Sequence, residues 1–469
     1  MTRYQQIAQQ IISQIEQGVW RVGEKIPSIR VSCKSFEASN STILQAYQLL
    51  EAQGWITAKP QSGYYVANLH LVDKSHQQKA EQRALFDDQL FQFLKTSSSE
   101  SAQPFSSAFP DPDLFPMADL AKSLANATRK MVTSQSEPHL PPGNPTLRRL
   151  IAQRYAKRGL HISSQDIVIT SGAMEALNLS LQAVTNPGDK VIIESPVFYG
   201  ALQAVEKLGL IPIEVPIEKG GGLSIERLKE RLDSHDIKAC WLMSSFQNPT
   251  GLSLSDEKKR AIVELANQHD FFIVEDDVYG ELQYDDEQPQ KPLKAFDRED
   301  RVLLCSSFSK SLCPGYRVGW LVNQRFNEQV QKSQLLSTLS TSAPIQAGVA
   351  HYLTYESYDN HLRKLRREFV SRYEEFRNWM LNVLPDDVEL SQPQGGYFVW
   401  LYLPESVDIH AIKDKMKEAQ WPIATNELFV AHQSHSAIKG IRLNFSYSMT
   451  EQRQSALTQL GKALSEHRS

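Results

Sequence analysis

From about residue 105 onward the chain alternates short apolar runs of β type with stretches of helical character. The runs include Asp166-Ile167-Val168-Ile169-Thr170, Lys190-Val191-Ile192-Ile193, Phe271-Phe272-Ile273-Val274 and Arg301-Val302-Leu303-Leu304. This alternation specifies an α/β fold around a mostly parallel sheet. Ligands of such sheets sit beyond the carboxyl ends of the strands, so the residues that follow each run are where chemistry is expected.

Those residues form a consistent set. Ser171-Gly172-Ala173-Met174-Glu175 follows the first run and opens a helix. Small residues there let backbone N–H groups approach an anion, helped by the helix N-terminus. Asn248-Pro249-Thr250-Gly251 follows an apolar run at 240–243. It reads either as a turn or as an Asn amide directed at a ring hydroxyl. Glu275-Asp276-Asp277-Val278-Tyr279 puts three carboxylates at a strand end, which is costly unless they are solvated or paired with a cation. Asp276 is placed to hold a protonated pyridine nitrogen, with Tyr279 reaching the neighbouring hydroxyl. Ser307-Phe308-Ser309-Lys310 continues to Arg317. A lysine among hydroxyls and apolar groups can be desolvated into an imine-forming nucleophile, while Arg317 and Ser307 offer charge-assisted bonds to a phosphate.

The first 70 residues read differently. Ile7, Ile11 and Ile15 lie four apart and Gly18 ends the pattern; a second helix starts near Pro27-Ser28. A third follows Ser39-Asn40-Ser41-Thr42, with Ile43, Ala46, Tyr47 and Leu50 on one face and Gly54 beyond its end. Trp55-Ile56-Thr57 and Tyr64-Tyr65-Val66 then flank the breaker-rich Lys59-Pro60-Gln61-Ser62-Gly63. Three small helices and a hairpin make a winged helix-turn-helix, whose third helix enters the major groove by its N-terminal end. Asn40, Ser41, Thr42 and Gln45 are the candidate base or phosphate contacts, and Arg30 and Lys59 the candidate phosphate contacts.

Charge agrees with this division. The 469-residue chain has a net charge of −4, which excludes a globally basic nucleic-acid binder but not a local module. Residues 1–70 carry six Lys/Arg against four Asp/Glu, a net +2, leaving −6 for the rest. Apolar residues at 41% are enough for a buried core. The four cysteines lack metal or disulfide spacing, as in a reducing cytosol, and no metal site is expected. Met1 to Gln10 is polar from the start, so no secretory leader is expected. The charge-free stretch Ser333 to Tyr355 contains hydroxyl residues and Pro344 and reads as a buried or interface segment, not a membrane span. Residues 71–104 read as a linker in which Leu85, Phe86, Leu90, Phe93 and Leu94 mark a helix at 84–95 docked on the second domain.

The words Ile26-Pro27-Ser28-Ile29-Arg30, Ser39-Asn40-Ser41-Thr42-Ile43, Leu50-Glu51-Ala52-Gln53-Gly54 and Ser62-Gly63-Tyr64-Tyr65-Val66 resemble, in order, the GntR-family DNA-binding domain. Many members carry Arg where this chain has Asn40. From about Phe105 the motifs resemble fold-type I pyridoxal-phosphate aminotransferases, with a large α/β domain and a smaller C-terminal α+β subdomain from about 350. The resemblance implies that Lys310 forms the internal imine and Asp276 partners the pyridine nitrogen. It implies that Asn248 and Tyr279 bond the ring oxygen and that Phe198, rather than Tyr199, stacks on the ring. Ser171, Gly172, Ala173, Met174, Ser307 and Arg317 would hold the phosphate, and Arg442 would clamp a substrate α-carboxylate. A family tyrosine five residues before Gly143 is replaced by Pro138, beside His139.

The joined pair resembles MocR-type transcriptional regulators over nearly the full length. The implied molecule is a cytoplasmic homodimer that binds pyridoxal 5′-phosphate and double-stranded DNA and senses the cofactor or a small amine or amino acid. The alternative is an aminotransferase that carries a DNA-binding domain.

Overall fold

Ile7, Ile11 and Ile15 are buried on one face of the first helix, α1 (Arg3–Glu16), as their spacing requires. The computed structural model describes residues 2–59, 62–67, 93, 104–133, 140–285, 287, 289–431 and 438–468. It divides into two units, Met1–Arg83 and Ala84–Ser469.

In the first unit, α2 (Ile29–Ser35) and α3 (Asn40–Ala52) follow. Ser39 caps α3, its Oγ accepting the Thr42 N–H at 3.3 Å, and Gly54 at φ +77° turns the chain away at its end. Strands β1 (Ile56–Lys59) and β2 (Gly63–Val66) pair antiparallel with Ile56 opposite Val66. Lys59 therefore ends a strand and does not sit in the hairpin tip; its Nζ lies 4.3 Å from the centre of the Tyr65 ring. The core joins the α1 isoleucines to Ile26, Ile43, Leu50, Ile56 and Val66. Tyr47 is fully buried there because its hydroxyl pairs with Ser32 Oγ and reaches the Pro27 carbonyl, both at 2.7 Å.

The second unit is built on eight strands among the described residues: β3 (Ile167–Thr170), β4 (Lys190–Ser195), β5 (Ile211–Glu218), β6 (Gly222–Leu223), β7 (Ile237–Leu242), β8 (Phe272–Asp276), β9 (Val302–Ser307) and β10 (Gly319–Val322). Their order is β3-β10-β9-β8-β7-β4-β5-β6. The neighbours from β9 across to β5 run parallel, while β10 and β6 are antiparallel to their partners. Parallel neighbours need crossover connections, and the helical stretches supply them. The helices of this region are α4 (Met117–Thr133), α5 (Pro145–Lys157), α6 (Ala173–Val184), α7 (Tyr199–Lys207), α8 (Ile225–Ser234) and α9 (Asp256–Gln268).

After the sheet come α10 (Asn327–Ser337), α11 (Ala343–Tyr355) and the long α12 (Tyr358–Val383). A second, antiparallel sheet has the order β11 (Glu389–Leu390), β12 (Phe398–Tyr402), β14 (Gly440–Asn444), β13 (Ala424–Thr425), flanked by α13 (Ile409–Glu418) and α14 (Glu451–Glu466). Its core of Phe369, Phe376, Leu401, Phe445 and Leu457 is continuous with Phe105, Phe246 and Tyr279, so the loops at the large sheet's edge rest on the smaller domain.

The charge-free stretch divides: Val349, Ala350 and Tyr352 are buried, while Leu336 is 91% exposed. Of the helix expected at 84–95, only Phe93 is described; it packs against Tyr199, Trp400 and Phe429. The rest of that helix, and Pro138 with His139, lie outside the described residues. Among the described residues no helix is long and apolar enough to cross a membrane, and no His/Cys/Asp/Glu cluster could hold a metal.

Candidate functional site

Five strands, β3, β4, β7, β8 and β9, end at the same edge of the large sheet, and the loops beyond them frame an open cavity. Ala173, Met174, Phe198, Asn248, Asp276 and Tyr279 line it together with Ser307, Lys310 and Arg317. The sequence motifs, spread over more than 140 residues, therefore converge.

Lys310 follows β9 and is half-buried. Its Nζ donates to the Ala108 carbonyl at 2.8 Å and lies 3.9 Å from the centre of the Phe109 ring. Tyr397 Oη donates to the same carbonyl at 2.9 Å. Burial pulls the ammonium down to about 7; Arg442 adds to this, Asp276 opposes it, and Arg317 contributes least. A near-neutral amine is what a nucleophilic lysine needs.

The three carboxylates at the end of β8 have separate fates. Glu275 accepts from Ser244 Oγ at 2.5 Å and from the Leu293 and Lys294 backbone N–H groups at 2.5 and 3.0 Å. Asp277 is paired with Arg158. Asp276 is left, 2% exposed, with Oδ1 lacking any hydrogen-bond partner among the described residues. Burial pushes its carboxyl up to about 7, against the Val278 backbone N–H and with Asp277 adding. An orphaned carboxylate oxygen facing a cavity is costly unless a donor arrives, and a cationic ring N–H is such a donor.

Asn248 and Tyr279 are buried at 1% and 2% exposure. Tyr279 makes edge-on contacts with Tyr397 and Phe398, and burial raises its hydroxyl well above the usual range. Phe198 lines the cavity, with Tyr199 turned into a buried cluster with Trp400 and Phe429. A Cβ on Gly200 would fall 2.4 Å from the Phe198 ring, so glycine there gives the ring its place. Arg442 on β14 is fully buried and lies off the cavity lining. Its Nη1 donates to Asn248 Oδ1 at 2.8 Å and its Nη2 to the Ser106 carbonyl at 2.6 Å.

The anion cradle is built by close backbone approach. Gly172 has φ +96° and ψ 171°, a conformation essentially restricted to glycine, and caps α6. A Cβ there would meet Arg317 Nη2 at 2.4 Å, while one on Gly319 would meet the Gly172 backbone at 2.4 Å. Arg317, in the left-handed region at φ +52°, donates to the Ser171 carbonyl and to Ser309 Oγ, both at 3.3 Å. Ser307 Oγ accepts the Ser309 N–H at 3.3 Å. Ser171 is off the lining: its N–H goes to Glu175 Oε2 at 2.5 Å and its hydroxyl lies 3.3 Å from Thr341 Oγ1. An α-helix N-terminus, small residues, hydroxyls and an exposed guanidinium suit a phosphate ester. With the Asp276 Oδ1 that lacks a partner among the described residues and the desolvated Lys310, the donor set fits a phosphorylated pyridine aldehyde.

In the first unit, Asn40, Ser41 and Gln45 are exposed at the start of α3, as are Arg30 on α2 and Lys59 on β1. Thr42 is half-buried, its Oγ1 2.8 Å from Ser39 Oγ, which also meets Ser41 Oγ at 2.9 Å. Asn40 Oδ1 accepts from the Cys33 thiol at 2.9 Å.

Sequence reasoning passed over Ser309, Phe109, Tyr397 and the carbonyls of Ser106 and Ala108. The serine stood inside a recognised motif and was findable. The carbonyls carry no residue-type signal.

Residues 114–459 match the family described as aminotransferase class I and II, and residues 3–66 the family described as bacterial regulatory proteins, gntR family. The chain is 43% identical over 99% of its length to all of an Escherichia coli protein named the uncharacterized HTH-type transcriptional regulator YdcR. It is 30% identical over 80% of its length to 91% of aromatic-amino-acid aminotransferase 1 of Thermococcus litoralis. Among solved structures, the kynurenine aminotransferase of Pyrococcus horikoshii, crystallised with PMP, superposes with a TM-score of 0.75 at 28% identity, covering 82% of this chain and 95% of that one.

Proposed function

Since the chain belongs to the aminotransferase class I and II family and carries a gntR-family head, the arrangement of MocR-type transcriptional regulators, we propose that it is a DNA-binding regulator whose body holds pyridoxal 5′-phosphate at Lys310 and senses an amine or amino acid there. The observation that carries the cofactor part is that Oδ1 of buried Asp276, without a hydrogen-bond partner among the described residues, shares a cavity with the desolvated Lys310 amine.

In this reading residues 1–70 are the head, 71–104 the linker and 105–469 the body, with a smaller subdomain from about 350. Asp276 accepts from the ring nitrogen, and Asn248 and Tyr279 approach the ring oxygen. Phe198 covers one face of the ring. The Gly172-Ala173-Met174 backbone, Ser307 and Arg317 hold the phosphate. When bound, the group supplies a carbonyl carbon for imine exchange and an electron-withdrawing ring. The protein's part is to keep the Lys310 amine unprotonated, fix the ring and exclude water. Arg442 offers its guanidinium to an effector carboxylate.

Asn40, Ser41, Thr42 and Gln45 reach base edges or phosphates of double-stranded DNA, and Arg30 and Lys59 reach phosphates. An effector amine that took the place of Lys310 would bias the body between conformations, and the linker would pass that bias to paired heads. The assembly is a cytoplasmic homodimer.

The test is spectroscopic. The purified chain gives a visible imine band that Lys310→Ala removes, and amino donors change the band with little keto-acid formed over many turnovers. A band that survives in Lys310→Ala overturns the cofactor assignment. Sustained turnover favours the enzyme reading.

A further inference from the structure

Asp276 and Asp277 are consecutive, and each is 2% exposed. The charge of Asp277 raises the proton affinity of Asp276, so the second acid works against an Asp276 that must stay ionised opposite a cationic ring nitrogen. The chain answers with one guanidinium. Arg158 Nη1 donates to Asp277 Oδ2 at 2.5 Å and Nη2 to Oδ1 at 2.9 Å, while Nε is held by the Gln290 carbonyl at 3.0 Å. The pair is bidentate and out of solvent, the geometry that gives a buried ion pair its strength. A Cβ on Gly280 would fall 2.2 Å from Arg158 Nη2 and 2.3 Å from Asp277 Oδ1, so the chain leaves room for this contact and little else.

The same residue is tied to the strand that leads to Lys310. Asp277 N–H donates to the Cys305 carbonyl at 2.8 Å, and its own carbonyl accepts from Ser306 Oγ at 2.9 Å. Arg158, just past α5, is absent from the cavity lining, and its hydrogen bonds toward the site go to Asp277.

We propose that Arg158 is a positioning residue for Asp276: by cancelling the charge of Asp277 and fixing the turn after β8, it makes the Asp276 carboxylate the acceptor presented to the cofactor. This rests on the reading that a cofactor bound at Lys310 sets its ring nitrogen against Asp276.

The charges around the pair decide the sign of the test. Asp276 is faced by Glu275, Asp277 and Lys310, by Glu194 of β4, Cys305 of β9 and Tyr279. Asp277 is faced by Arg158, by Tyr155 of α5 with its hydroxyl at 3.4 Å, by Lys259 of α9 and by Glu275. Removing Arg158 adds one net negative charge beside the site; removing the Asp277 charge adds one net positive charge. The first favours the protonated imine and the second disfavours it.

The experiment titrates the visible band of the full-length protein, loaded with pyridoxal 5′-phosphate, against pH. Arg158→Met is expected to move the midpoint up and Asp277→Asn to move it down, each by roughly half to one pH unit, and the neutral double variant to return it toward the wild-type value. A purely structural role would loosen the site in both single variants without opposite signs. Shifts in the same direction, no shift in either, or a double variant no closer to wild type than the singles overturns the proposal. If Arg158→Met does not fold, Asp277→Asn and the double variant still test the downward shift and its recovery. A wild-type protein that forms no visible band with pyridoxal 5′-phosphate overturns the underlying cofactor reading instead, an outcome distinct from all of these.

Discussion

Arg442 Nη1 donates to Asn248 Oδ1 at 2.8 Å, so a strand of the small sheet and a loop of the large one, 194 residues apart in sequence, share one buried hydrogen bond. The guanidinium also lies 4.6 Å from the Phe398 ring centre and 5.1 Å from that of Phe429, and its Nε has no partner among the described residues. An entering carboxylate would replace neutral acceptors with charge-assisted bonds.

Replacing Arg442 with Ala strips Asn248 Oδ1 of a donor. Stability is expected to fall by about 1–3 kcal/mol in denaturant unfolding, the cost of a buried acceptor left unpaired. The variant is also expected to respond equally to an amino acid and to its decarboxylated amine, measured as the concentration that half-shifts the visible band. Retained preference for the amino acid removes Arg442 from the effector contact.

The Lys310 amine, held down to about 7 by burial and then by Arg442, is protonated below that pH and neutral above it. Only the neutral amine attacks a carbonyl. The rate at which apo-protein captures pyridoxal 5′-phosphate should therefore climb through pH 7 and level off above about 8, well short of an ordinary lysine's profile. Stopped-flow absorbance across pH 5.5–9.5 reads it, and a rate still rising at pH 9.5 contradicts the desolvated state.

Gly172→Ala places a methyl 2.4 Å from Arg317 Nη2 at a backbone angle that side chains rarely adopt. A strain of about 1–3 kcal/mol is expected, with weaker cofactor retention than in the parent on dialysis. Unchanged retention would mean that Arg317 does not lie against the phosphate.

Lys59→Ala should lower the slope of log affinity against log salt by about one if this side chain neutralises a phosphate, and should weaken binding evenly across DNA sequences. Asn40→Ala should instead relax sequence preference. Fluorescence anisotropy of the full chain on a duplex library separates the two, and an unaltered salt slope removes Lys59 from the contact set.

Much of this was legible in the sequence because strand-end chemistry is written in adjacent residues. Ser171 to Met174, Asp276 with Tyr279, and Ser307 to Arg317 each arrive as one continuous word, and the sheet topology only had to bring the words to one edge. The head was legible for a related reason: Ile7, Ile11, Ile15 and Ile43, Tyr47, Leu50 declare their helical faces by spacing alone. Pairings across large sequence separations were not. Nothing near Arg158 names Asp277, 119 residues away, and nothing near Cys33 says that its thiol holds Asn40. Lys59 was misplaced because Pro60 drew the turn one residue early.

The carbonyls of residues 106–109 bind this stretch of the second unit to the site: Ser106 takes Arg442, Ala108 takes Lys310 and Tyr397, and Ser107 and Phe109 both take Asn444. Main-chain acceptors survive every alanine scan, so conventional mutagenesis of this stretch will read the Phe109 ring and miss the carbonyls. Swapping single amides for esters, which weakens one acceptor at a time, is the perturbation to which such a seam is sensitive.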